Sequence, residues 1–136
     1  MKTFEIIAVY GLLKGVKFGE LEIEDVKRII TFRNTARPIV ENFEKTRQEV
    51  EESFRPDNFE ELVKLERKGK ERTEEETAKY LAEASAYRTK INEALVDELN
   101  KECEATFEAL SADAIAILAG RYEWGFEELD VIELLK

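Results

Sequence analysis

Carboxylates are the commonest groups in this chain that could do chemistry. Glu74, Glu75 and Glu76 are consecutive, and Glu127, Glu128 and Asp130 form a second cluster. Such pairs can act as general acid and base or hold a hard cation. Both clusters sit where helices should begin, however, and there capping and the helix dipole account for acidic residues without chemistry. No EF-hand spacing is present. The chain has no histidine, which removes the commonest general base and transition-metal ligand. Cys103 is the single cysteine, so a Cys₄ or Cys₂His₂ site cannot form, and nothing near it in sequence would stabilise a thiolate. It reads as a structural thiol. Gly11, Gly15 and Gly19 lack the Lys-Ser/Thr ending of a phosphate loop and read as turn residues. The expectation is no catalytic residue, no cofactor and no metal site. An enzyme working through carboxylates alone would need a concave pocket with perturbed Glu or Asp side chains.

Binding residues offer more. Tyr122, Trp124 and Phe126 form a short aromatic cluster, a residue class enriched in interface hot spots and equally suited to capping a small core. Ile30, Phe32 and Ile39 fall off the main apolar stripe of their helix, where they would extend a binding surface or a dimer interface. Lys64, Arg67, Lys68, Lys70 and Arg72 make a basic run without interleaved aromatics, which reads as a solvated link.

Charge narrows the partners. Residues 1–56 carry ten basic and ten acidic side chains and so balance, residues 57–96 sum to −2, and residues 97–136 to −8 within the total of −10. Nucleic acid is a poor partner for such a chain, because phosphate contacts need clustered Lys and Arg. The apolar run near the N-terminus is too short for a membrane span and lacks a persuasive cleavage site. A soluble, cytoplasmic protein with protein partners is expected.

These residues must be positioned by helices above all. Val26, Ile29, Arg33, Ala36, Val40, Phe43, Arg47, Val50 and Phe54 recur at alternating steps of three and four. That spacing gives one stripe of a long helix. Pro38 either kinks this helix or splits it near Asn34; the stripe keeps phase across the proline, which favours one kinked helix over about 25–55. Leu81, Ala84, Tyr87 or Arg88, Ile91, Leu95 and Leu99 continue the spacing over about 74–101, after a Thr73/Glu76 capping box. Between them, residues 56–72 link the two, with a short helix over about 59–68 started by Asn58 and Glu61 and ended by Gly69. The two long helices can lie antiparallel and cover each other's stripes.

Two runs alternate with period two. "GELEIED" sets Leu21 and Ile23 against glutamates, and "ECEATFEA" sets Cys103, Ala105 and Phe107 against Glu102, Glu104 and Glu108. They lie at the same end of the hairpin and read as a two-stranded antiparallel sheet. "FEIIAVYGLLKGV" fits a helix with Phe4, Ile7, Ala8 and Leu12 inward, or a strand. Ser111 is a suitable N-cap for a helix ending at Gly120, and "FEELDVIELLK" suits a last helix with Phe126, Leu129, Ile132 and Leu135 inward. The expected fold is mainly α. It is one domain, 1–136: a helical hairpin over 25–101, and a terminal subdomain from 1–24 and 102–136 holding the small sheet.

This layout resembles a group of small helical proteins encoded by phages and prophages, of unknown function and lying among virion-assembly genes. The resemblance rests on the "GELEI" run, the two long charged helices with a polar segment between them, the acidic "ECEATFEAL" run and the leucine-rich "FEELDVIELL" ending. It spans nearly the whole chain but is one of order, without a diagnostic motif, so it implies no functional residue. Pro38 and the "RYEWG" turn are departures from it. The resemblance implies a non-enzymatic interaction or assembly protein, in the host cytoplasm or the virion. The charge distribution supports an alternative, an acidic regulator that binds a basic partner surface through residues 97–136. Salt separates the two, since apolar docking resists it.

Overall fold

The computed structural model describes residues 1–135. It is mainly helical: α1 (Thr3–Leu13), α2 (Ile23–Phe54), α3 (Phe59–Lys68), a 3-10 turn (Gly69–Glu71), α4 (Glu74–Leu99), α5 (Ala112–Arg121) and α6 (Phe126–Ile132). The described chain divides into two compact units. One is Met1–Phe43 together with the segment from Glu98 onward; the other is Glu44–Asp97.

The first unit holds most of the buried apolar residues. Ile6, Val9 and Leu13 of α1 pack with Ile29, Phe32 and Ala36 of α2, Ala114 and Leu118 of α5, and Ile132 and Leu135 at the C-terminal end. Steps of three and four in each helix bring these side chains to one face. The N-terminal segment is therefore a helix, but its inward face is not the expected one. Phe4 is exposed while Ile6 and Val9 are fully buried. Its sequence is apolar nearly all round, so periodicity gave no phase to choose.

α2 passes through Pro38 without a break. The proline leaves the Asn34 carbonyl without its intrahelical donor, and both residues are exposed, so water can reach that group.

The expected two-stranded sheet is absent among the described residues. A single antiparallel bridge joins Lys2 and Glu102 instead, with Thr3 N–H donating to Lys101 O at 3.0 Å and Cys103 N–H to Met1 O at 2.9 Å. The alternation of 102–108 is nevertheless real. Cys103, Ala105 and Phe107 are half-buried and the glutamates between them exposed, and Phe107 meets Phe32 edge-on at 4.9 Å. The other run fails. Ile23 opens α2 and is 64% exposed, because helix formation from this residue rotates its side chain off the face that a strand would have given it.

An ionic latch ties the start of α2 to the start of α5. Asp25, only 2% exposed, accepts from the Ser111 N–H at 2.9 Å and the Ser111 hydroxyl at 2.6 Å. Arg28 adds a bond at 3.1 Å and reaches Glu108 at 3.2 Å. Ser111 also caps α5 as expected, its hydroxyl accepting from Ala114 N–H at 3.1 Å. Burial raises the Asp25 pKa, but the bonds from Ser111 and Arg28 together outweigh it, and the carboxyl stays below its ordinary value.

In the second unit, α3 runs against α4 in the opposite direction. Lys79 pairs with Glu61 at 2.7 Å and Lys68 with Glu76 at 2.6 Å, while Phe59 meets Tyr87 edge-on at 6.0 Å. Residue numbers fall along α4 as they rise along α3, which is the register of an antiparallel pair. The Tyr87 hydroxyl donates to the Glu51 carbonyl of α2 at 2.7 Å. The Thr73/Glu76 box forms in both directions, at 3.1 and 3.3 Å. The Asn58/Glu61 box does not: Asn58 bonds Glu83 and Glu61 is taken by Lys79. Gly69 ends α3 with φ +53°, a conformation that favours glycine.

Candidate functional site

The six residues singled out for interaction have different fates. Phe32 is buried in the core, which corrects its place on an outward surface. Its position on α2, with Ile29 and Ala36 at steps of three and four, makes it part of the inner stripe. Ile39 is half-buried against the same core. Ile30 remains 41% exposed.

The aromatic cluster at the α5–α6 turn divides in the same way. α5 ends with Glu123 in the left-handed region at φ +54°. Trp124 N–H donates back to Ala119 O at 3.0 Å, the six-to-one bond of a Schellman ending. This turn aims Trp124 at the core, where it is half-buried. Tyr122 stacks loosely on Trp124, with centroids 6.5 Å apart. Its hydroxyl accepts from the Lys17 N–H at 2.7 Å, and Arg121 donates to the carbonyls of Lys17 and Gly19. Tyr122 and Arg121 thus clamp the loop after α1. Phe126 has no such work. It was expected to point inward, yet it is 87% exposed, because the first residue of α6 lies about 120° round the helix from the buried Ile132.

Ile30 leads to a cavity. Tyr10, Leu13 and Lys14 from the end of α1, Val16 and Phe18 from the following loop, and Ile29, Ile30, Phe32 and Arg33 from α2 line a space of about 330 Å³. Phe18, also 41% exposed, stands at its edge with Ile30. Lys14 and Arg33 bring positive charge, and neither has a carboxylate partner among the described residues. Among the described residues, the one side-chain bond of Arg33 is to its neighbour Asn34, at 3.1 Å. Sequence reasoning missed Tyr10, Lys14 and Phe18. The apolar residues just after α1 were a legible signal, but the meeting of that loop with α2 is a tertiary fact.

A second concavity, about 380 Å³, lies in the other unit against Phe59, Leu62, Tyr80, Tyr87 and Leu95. Arg47 and Glu51 on its wall pair with each other, and Arg88 and Glu66 also line it, so its charges are of both signs and balance. The space beside Arg28 and Glu108 belongs to the latch.

Among the described residues three carboxyl groups stand out from their ordinary range, and all are held below it. Asp25 is bonded as described. Glu44 is lowered by the hydrogen bond from Arg47, and Glu76 by the hydrogen bond from Lys68. Such groups are poor proton donors near neutrality. No cluster of metal-binding side chains occurs among the described residues.

Comparison of the chain with protein-family models, curated proteins and solved structures found no match. The geometry of its surface is therefore what bears on function. No helix among the described residues is long and apolar enough to cross a membrane.

Proposed function

We propose that this chain is a non-enzymatic interaction protein, acting in assembly and docking a protein partner at the Tyr10–Phe18–Ile30 cavity. The observation that carries this reading is the cavity itself: apolar walls, two partly exposed apolar side chains at the edge, and two cations without carboxylate partners among the described residues. Apolar area beside a charged rim is the anatomy of a transient interface. The non-enzymatic part rests on the sequence, which has no histidine and no catalytic motif. Phage or prophage morphogenesis is the proposed setting, and it rests on the sequence layout alone.

Affinity capture with the wild type and with Ile30→Glu tests the docking site. A partner held at the cavity is lost from the variant while helical content, read by circular dichroism, is unchanged. Equal capture by both proteins would refute the site. Tail or capsid genes beside the coding gene would support the setting; metabolic neighbours would count against it.

A second reading is favoured by the exposed glutamates of the extended run, Glu102, Glu104 and Glu108. They present carboxylates to a basic partner surface. A partner that survives Ile30→Glu but is lost with Glu102→Gln and Glu104→Gln together would establish this acidic regulator instead.

A further inference from the structure

The cavity has a counterpart on the same chain. Phe126 is the most exposed large apolar side chain described. Asp130 lies four residues on, on the same side of α6, and Glu123 and Glu127 flank the ring in sequence. None of these three carboxylates has an ion-pair partner among the described residues. An exposed aromatic with unpaired negative charge thus faces solvent on one part of the first unit. An apolar cavity with unpaired positive charge opens on another, between α1, its following loop and α2.

Size and charge match. A cavity of about 150 Å³ is enough to hold benzene, so about 330 Å³ accommodates a phenylalanine ring. Burying such a ring contributes apolar area that a single surface ion pair cannot. Lys14 and Arg33 would supply to the carboxylates the partners that neither set finds among the described residues of one chain.

The geometry points to self-association: a second copy of this chain seats Phe126 in the Tyr10–Phe18–Ile30 cavity, with Asp130 and Glu127 against Lys14 and Arg33. This deepens the docking role proposed above by naming the partner, and it rests on that reading of the cavity. The contact joins two different patches. Unless the arrangement closes on itself, each added copy leaves one ring and one cavity free, so that short open chains form. The two interaction residues that sequence reasoning shares with this contact, Ile30 and Phe126, then belong to one interface seen from its two sides.

Complementation between two crippled variants tests it. Phe126→Asp lacks the ring and keeps the cavity; Lys14→Glu with Arg33→Glu reverses the cavity charge and keeps the ring. All three positions are exposed, and circular dichroism checks that each variant is folded. In sedimentation velocity the wild type associates with rising concentration, and each variant alone associates at least about thirtyfold more weakly. An equimolar mixture of the two recovers association and stops at the heterodimer. A wild type that stays monomeric, association that survives Phe126→Asp, or a mixture that stays monomeric would each overturn the inference. The docking reading falls separately. If self-association fails while Ile30→Glu still loses a captured protein, the cavity serves a foreign partner. If the mixture forms heterodimers while captured proteins are indifferent to Ile30→Glu, the cavity serves the chain alone.

Discussion

Single residues in this protein carry more than their types suggest. Asp25 looks like any first-turn acid, yet it holds Ser111, 86 positions away, and anchors Arg28. Ser111 could not be read as its partner from the sequence, because the two become neighbours only when α5 meets α2. The cap itself was legible, since Ser111 precedes a periodic apolar segment. The carboxyl lies below its ordinary value of 3.8 in the folded chain. A group depressed on folding stabilises fully above its unfolded pKa, and this contribution is lost as pH falls through the folded value. The wild type should therefore lose stability in urea from about pH 4 downward. Asp25→Asn should cost about 2 kcal/mol at pH 7 and show a shallower decline with acid; an unchanged decline would deny the latch its role. Glu123 gives the opposite case. It occupies a left-handed conformation at φ +54° that an L-residue adopts at a cost of about 1–2 kcal/mol. Glu123→Gly should raise stability by about 0.5–1 kcal/mol in the same titration, and a loss would mean that the side chain does something the structure does not show.

At the scale of elements, periodicity succeeded where one face was clearly apolar and failed where both were. α2 and α4 were legible almost to their ends, because their polar residues mark the outer face. α1 was legible as an element but not in its phase, since nearly every position is apolar. The extended run 102–108 shows the same limit differently. Its alternation correctly gave which side chains turn inward, while its backbone partner proved to be the N-terminus rather than the run before α2. Alternation specifies a face; it does not specify a neighbour. The capping box at Asn58 was lost for a similar reason, as both its side chains are used across the α3–α4 contact. That contact is completed by Tyr87, whose hydroxyl reaches the Glu51 carbonyl. Tyr87→Phe keeps the ring against Phe59 and deletes this bond. It should destabilise the chain by about 1 kcal/mol in urea titration. A neutral result would show that water serves Glu51 equally well.

Over the whole molecule, burial is unevenly distributed, and this sets where the chain opens first. The unit from Met1 to Phe43 and from Glu98 onward contains a contiguous apolar cluster drawn from α1, α2, α5 and α6. The unit from Glu44 to Asp97 buries only Leu62, Leu65 and Leu95 among its apolar residues. Its remaining ties include partly exposed ion pairs such as Lys79–Glu61, the rings of Phe59 and Tyr80 under Arg55 and Arg72, and the Tyr87–Glu51 hydrogen bond. Exposed pairs contribute up to about 1 kcal/mol each and weaken with salt, whereas a buried leucine contributes about 1.5–3 kcal/mol. Local opening should follow that difference. Native-state hydrogen exchange should find the α3 and α4 amides open at a free energy at least about 2 kcal/mol below those of α1 and α5. Raising the salt concentration should widen the gap, because screening removes support from the thinner core and leaves the apolar cluster untouched. Uniform protection across 1–135 would mean that the three leucines and their aromatic cover hold as firmly as the larger core. If the gap appears, the docking cavity belongs to the part of the chain that stays folded longest, where a rigid wall lowers the ordering cost of receiving a ring.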